Sequence, residues 1–231
     1  MIGLTHFDRG RRLQSLRAPE ILIFVAMLSL TALAQSSSGS TAARAAPPLQ
    51  RGTNEFGVWT GYSPFSFVWK GTTKGRELYL LNLQYARTLL ASRALTLKYT
   101  ADVVPVALEF QPRQLYVIDR KLVVNPGGTV YGAGANPLGV QGNLGNRRIQ
   151  PFASGSLGFL YFTRQVPVVG SSQFNYNITI GFGAQFFLRS KRSVSVGWKY
   201  HHLSNNYQAR LNPGIDSGVF YASFSLVRGK R

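Results

Sequence analysis

Near the C-terminal end of the 231-residue chain, two adjacent histidines sit in the run Trp198-Lys199-Tyr200-His201-His202-Leu203-Ser204-Asn205-Asn206, and an acid, Asp216, follows beyond a polar loop. A serine hydroxyl becomes a nucleophile only when a neighbouring base takes its proton, and an imidazole serves as that base best when an acid fixes its tautomer and stabilises the imidazolium. Ser204, His202 and Asp216 supply the three types. In an extended strand His202 and Ser204, two residues apart, project from one face, together with Val194, Val196, Trp198 and Tyr200. Asp216 shares its parity with Gly218, Phe220, Ala222, Phe224 and Leu226. If residues 205–215 close an antiparallel hairpin, Asp216 lies opposite Ser204 or, with a two-residue shift, opposite His202, and both registers keep it within reach of the imidazole. Asn205 adds a side-chain amide and a backbone N–H for an oxyanion. The chemistry on offer is acyl transfer through a serine ester. The competing reading of the same residues is a strand end entering a polar loop.

The elements that must position these groups alternate with a period of two. From Gln173 to Leu188, Phe174, Tyr176, Ile178, Ile180, Phe182, Ala184, Phe186 and Leu188 fall on one face, while Asn175, Asn177, Thr179, Gly181, Gly183 and Gln185 fall on the other. Similar segments near 55–62, 77–89, 95–108, 129–142, 149–162, 193–204 and 216–227 bring the number of expected strands to eight. The connections alternate: short at 90–94, 143–148 and 189–192, long at 63–76, 109–128, 163–172 and 205–215. An even number of strands, short turns on one side and long loops on the other predict an all-β fold, an eight-stranded antiparallel transmembrane β-barrel of the outer membrane. Such a barrel fills its interior with side chains and is no pore. A soluble lipocalin-like barrel is the alternative, and it would turn the apolar face inward. In the membrane reading His202, Ser204 and Asp216 stand on the lipid-facing surface, and Trp198 and Tyr200 read first as aromatics of the interfacial belt.

Composition narrows the setting. The chain carries 26 Lys+Arg against 8 Asp+Glu, a net charge of +18, with 45% hydrophobic, 13% aromatic and only 15% charged residues, and it has no cysteine. Disorder, disulfide staples, thiolate metal sites and a cysteine nucleophile are excluded, and no residue calls for a metal or other cofactor. Arg9, Arg11, Arg12 and Arg17 precede the apolar run Ile21–Ala34, which ends on Ala32-Leu33-Ala34. This is the pattern of a secretory signal peptide over residues 1–34, since the run is shorter than the roughly 20 residues that span a bilayer. A flexible segment, 35–49, and the barrel domain, 50–231, follow. Export removes nucleic acid as the expected partner, so the positive charge points to an anionic membrane surface such as phosphorylated glycolipid. Lys70, Lys74, Arg76, Arg113, Arg120, Lys121 and Arg210, all on expected loops, are the candidates for meeting its phosphates.

The stretch His202-Leu203-Ser204-Asn205, followed by Asn212-Pro213-Gly214, Asp216 and an aromatic strand, resembles the C-terminal motif of the lipid A 3-O-deacylase family, often called PagL. Tyr131 to Gly139, YGAGANPLG, is a weaker echo of the family's fourth strand. The resemblance implies an eight-stranded outer-membrane barrel that removes an ester-linked acyl chain from lipid A, with lipopolysaccharide in the outer leaflet as its partner. It implies Ser204 as nucleophile, His202 as base, Asp216 as acid and Asn205 as oxyanion donor. Best-known members carry glutamate at the acid position, where this chain has Asp216. If the first strand starts on the periplasmic side, the 205–215 loop is extracellular and the cluster lies at outer-leaflet depth. Two further functions compete: a non-catalytic barrel of adhesin, anchor or ligand-binding type, and a phospholipase or acyltransferase using the same serine.

Overall fold

The computed structural model of the chain describes residues 49–118, 120–188 and 191–229. The expected signal peptide and all but the last residue of the segment 35–49 lie outside the described residues. Eight long strands form the barrel wall: β1 Asn54–Ser63, β2 Glu77–Ala91, β3 Leu95–Gln111, β4 Gly128–Leu144, β5 Ile149–Val166, β6 Ser172–Leu188, β7 Arg192–Ser204 and β8 Ile215–Arg228. Each pairs antiparallel with its chain neighbours, and β1 closes the circle on β8 from Asn54↔Arg228 to Tyr62↔Phe220. Closure removes both sheet edges, which is what lets strands cross a bilayer with every backbone group paired.

Alternation along the strands decides between the two barrel readings. The outward face carries Phe56, Val58, Leu83, Val103, Leu138, Val140, Leu157, Ile180, Phe182, Val196 and Phe220, all exposed. The inward face buries Asn82, Thr100, Asp102, Asn143, Gln150, Asn177, Thr179, Gln185, Ser195 and Lys199. A soluble barrel cannot leave so large an apolar belt in water, so the chain is an outer-membrane β-barrel, as its strand pattern predicts. Toward the ends that carry the long loops, the interior turns apolar around Leu78, Leu80, Val104, Val130, Leu160, Phe162, Leu203, Ile215 and Val219. Toward the short turns it is held by ions: Lys98 Nζ lies 2.6 Å from Glu55 Oε1 and 2.7 Å from Gln185 Oε1, and Gln185 in turn donates to Glu55 Oε2 at 2.7 Å. Between them Lys199 Nζ stands 4.0 Å from the Trp59 ring and 4.6 Å from that of Tyr221. A polar void of about 20 Å³ beside Asp102 and Lys199 is room for about one water.

Three loops differ from expectation. The 163–172 connection shrinks to 167–171, because β5 and β6 continue pairing as far as Val166↔Ser172. The 109–128 connection contains its own hairpin, Gln114–Ile118 against Lys121–Asn125. In the 63–76 connection Pro64, which has no N–H for the ladder, ends β1. The chain then resumes as Ser66–Phe67, antiparallel to Asp216–Ser217 on β8, and Thr73 bridges Ile215. That last excursion lays a loop over the wall where β7 ends and β8 begins.

Candidate active site

The register of β7 against β8 sets His202 opposite Asp216 and ends at Leu203↔Ile215, leaving Ser204 paired only with Tyr176 on β6. Of the two registers open in the sequence, the structure adopts the one with the acid beside the imidazole. His202 Nδ1 and Asp216 Oδ1 are 2.6 Å apart, and Tyr200 Oη donates to the same oxygen at 2.7 Å. Parity places Tyr200, His202, Ser204 and Asp216 outward, yet Tyr200 and His202 are only 7% and 6% exposed and Asp216 is 0% exposed. The cause is the 64–75 loop. The backbone N–H groups of Trp69, Lys70 and Gly71 donate to Asp216 Oδ2 at 3.0, 2.7 and 2.7 Å, and Trp69 packs edge-on against Tyr200 with ring centroids 4.8 Å apart. Adjacent His201 faces the barrel interior and is buried there, so it takes no part in the cluster.

Ser204 is half-buried at the start of the 205–214 loop. Its Oγ accepts from the backbone N–H of Asn206 at 3.1 Å and from Asn212 Nδ2 at 3.2 Å; among the described residues no hydrogen bond joins it to His202. Asn212 also accepts the Asn205 backbone N–H through Oδ1 at 3.0 Å, and Asn205 Nδ2 donates to Leu211 O at 2.8 Å. Asn205 is therefore buried in the loop with both kinds of donor engaged, whereas Asn212 and Asn206 are the groups whose donors reach Ser204. The sequence marks neither as a site residue, since a loop asparagine carries no periodic signal; the spacing Asn205 to Asn212 is legible only as part of the family motif. Gly214 turns the loop back at φ +62°, a left-handed conformation, and a Cβ there would stand 3.2 Å from His202 Cε1. It is glycine both for the turn and for the ring beside it.

His202 and Ser204 open into a groove of about 560 Å³ on the outer wall. Leu157, Tyr176 and Ile178 of β5 and β6 form its apolar side, Tyr207, Asn212 and Pro213 its loop side, and Lys70 its cationic lip. Of the seven basic residues expected to meet phosphates, Lys70 alone lines this groove. Arg76 is a correction: it is fully buried in the barrel mouth, with Nε 3.4 Å from Glu109 Oε1 and Nη2 donating to Pro167 O at 3.1 Å. An arginine preceding an inward-facing strand start follows the wall into the interior. Lys74, Arg113, Arg120, Lys121 and Arg210 are exposed on the loops.

A buried imidazole–carboxylate pair beside a serine, in an apolar groove on the lipid side of a barrel, suits acyl transfer at a membrane surface. The profile of the family described as Lipid A 3-O-deacylase (PagL) matches residues 118–225, which include His202, Ser204 and Asp216. The crystal structure of the outer membrane enzyme PagL is similar to this chain with a TM-score of 0.52 at 18% identity, over 73% of this chain and 97% of that one. Neisserial surface protein A aligns at 8% identity over 76% of this chain and 99% of its own, with a TM-score of 0.46. OprG from Pseudomonas aeruginosa aligns at 13% over 78% and 97%, with a TM-score of 0.45. No curated protein matches the chain in sequence. The family whose motif the His202–Asp216 stretch resembles is thus the one whose profile the chain matches from residue 118 into β8, the lipid A 3-O-deacylase (PagL) family, and the fold is that of its outer-membrane barrel.

Proposed function

We propose that the protein is an outer-membrane serine esterase that removes an ester-linked acyl chain from lipid A in the outer leaflet. Ser204 Oγ attacks the ester carbonyl while His202 Nε2 takes its proton. Asp216, bonded to Nδ1, holds the imidazole in the tautomer that leaves Nε2 free to accept, and it stabilises the imidazolium that forms. The Asn212 side-chain amide and the Asn206 N–H, both of which reach Oγ, are the donors we assign to the oxyanion that develops on the carbonyl oxygen beside it. Asn205, the oxyanion donor that the motif implies, instead holds Asn212 in place through its backbone N–H. His202 then protonates the leaving sugar oxygen, and water resolves the acyl-enzyme with His202 again as base. In the groove the acyl chain runs along Leu157, Tyr176 and Ile178, and the Lys70 lip faces the phosphorylated sugar.

The observation that carries this reading is the 2.6 Å His202–Asp216 contact, buried on an outward-facing wall. A carboxylate with an imidazole partner on a lipid-facing wall is costly and marks a functional site. Serine proteins that hydrolyse and serine proteins that transfer an acyl group share this geometry and differ in where the chain ends up. Purified protein in mixed micelles with lipid A, and separately with phospholipid, separates them. The reading expects free hydroxy fatty acid from lipid A and none with Ser204→Ala. Release from phospholipid at the same rate, or acyl transfer to phospholipid, contradicts it.

A further inference from the structure

Asp216 sits on the outer wall of a membrane barrel, where a carboxylate would normally face hydrocarbon. It is fully buried instead. Its Oδ1 serves Tyr200 and His202, while Oδ2 receives three successive backbone N–H groups, from Trp69, Lys70 and Gly71. Consecutive amides converging on one oxygen form the kind of concave nest that backbone uses to hold anions. The segment that carries them is seated independently of the carboxylate. Ser66–Phe67 pairs with β8, the Thr72 N–H donates to Pro213 O at 2.6 Å, and the Thr73 N–H donates to Gly214 O at 3.3 Å. Ser66 Oγ closes the base of the segment by donating to Thr73 O at 2.9 Å. Gly71 makes the approach possible, since a Cβ there would come within 2.7–2.9 Å of the backbone C and O of Gly214 and the N of Ile215. Among the described residues the segment meets the carboxylate through backbone N–H groups only: Phe65 and Val68 are 62% and 50% exposed, and the Trp69 ring lies edge-on against Tyr200.

We propose that residues 66–73 are a positioning element of the catalytic apparatus, a backbone cradle that fixes Oδ2 of Asp216 so that Oδ1 is presented to His202. This rests on Ser204 being the nucleophile and adds what holds the acid. No side chain of the segment takes part in the reaction. A loop that merely roofed the wall or bound lipid would leave Ser204 as reactive as before toward a small probe. A loop that positions the acid governs that reactivity whatever the size of the acylating group.

The test uses the full-length protein in detergent micelles and a small fluorophosphonate, with the rate of labelling at Ser204 followed by peptide mass spectrometry. Folding is checked by heat-modifiable migration on gels. Gly71→Ala is expected to slow labelling about tenfold to a hundredfold, the scale of a misplacement of about 1 Å. In an Asp216→Asn background the same substitution is expected to add less than about twofold, because both act through one carboxylate. Ser66→Ala loosens the base of the segment, gives the same signature at smaller amplitude, and carries the comparison where alanine at 71 prevents folding. A wild-type labelling rate in folded Gly71→Ala and Ser66→Ala, or full additivity with Asp216→Asn, overturns the inference. Failure of the wild type to label at Ser204 overturns instead the nucleophile on which the inference rests.

Discussion

Replacing Asp216 by asparagine exchanges one carboxylate oxygen for an amide NH2 with almost no change in shape, and the structure says where that NH2 goes. If Nδ2 took the Oδ2 position, three N–H donors at 2.7–3.0 Å would face a fourth donor and none could turn away. If it takes the Oδ1 position, its two neighbours adapt: the Tyr200 hydroxyl rotates to accept, and His202 shifts its proton from Nδ1 to Nε2 so that Nδ1 accepts. The second arrangement wins, and it leaves His202 with a hydrogen on the nitrogen that must receive the Ser204 proton. The loss of stability is then small, about 1–2 kcal/mol, for charge-assisted bonds exchanged for neutral ones. The loss of activity is large, on the order of 10⁴, as for other triads whose acid is made an amide. Fatty acid release from lipid A by purified protein measures the second, and urea unfolding in detergent the first. Retention of more than about a tenth of wild-type activity in a folded Asp216→Asn protein would refute the tautomer argument, since a 10⁴ effect is what wrong protonation costs.

Other substitutions separate parts of the account. Tyr200→Phe removes one 2.7 Å donor from Asp216 Oδ1 and is expected to slow hydrolysis about fivefold, the equivalent of roughly 1 kcal/mol, in a barrel that still folds. Asn212→Ala strips a donor from Ser204 Oγ and an acceptor from the Asn205 N–H, and is expected to lower the turnover rate about tenfold or more. Asn205→Ala keeps its backbone N–H and is expected to cost less; the reverse order in initial-rate measurements would return the oxyanion role to Asn205. Lys98→Met leaves Glu55 as an uncompensated buried charge far from the groove, and is expected to destabilise the barrel by about 3–5 kcal/mol in urea titrations followed by tryptophan fluorescence. The specific activity of the folded fraction stays at the wild-type level.

The strands were legible because a membrane barrel writes its two faces into alternate residues. Asn175, Asn177, Thr179 and Gln185 against Tyr176, Ile178, Ile180 and Phe182 needed no tertiary information to sort inside from outside. Ser204, His202 and Asp216 were legible as types and as a shared face, but their register was not. A hairpin loop of ten residues admits pairings two apart without changing which side any residue faces. Harder still was the cradle. Backbone amides are the same at every position, so nothing in Trp69-Lys70-Gly71 announces a carboxylate site; only Pro64 ending β1 and a glycine at 71 hint that the chain turns and packs closely there. Arg76 was misplaced for a related reason. Sequence position put it in a loop, while the wall it enters carried its side chain inward to Glu109.

The central claim, a serine esterase acting on lipid A from the outer wall of the barrel, is met most directly by mass spectrometry of lipid A from cells expressing the wild-type protein or Ser204→Ala at matched outer-membrane abundance. Loss of one hydroxyacyl chain is expected with the wild type, and unmodified lipid A with Ser204→Ala. Unmodified lipid A in both, with the barrel folded and in place, would contradict it, and equal loss in both would remove Ser204 as the nucleophile.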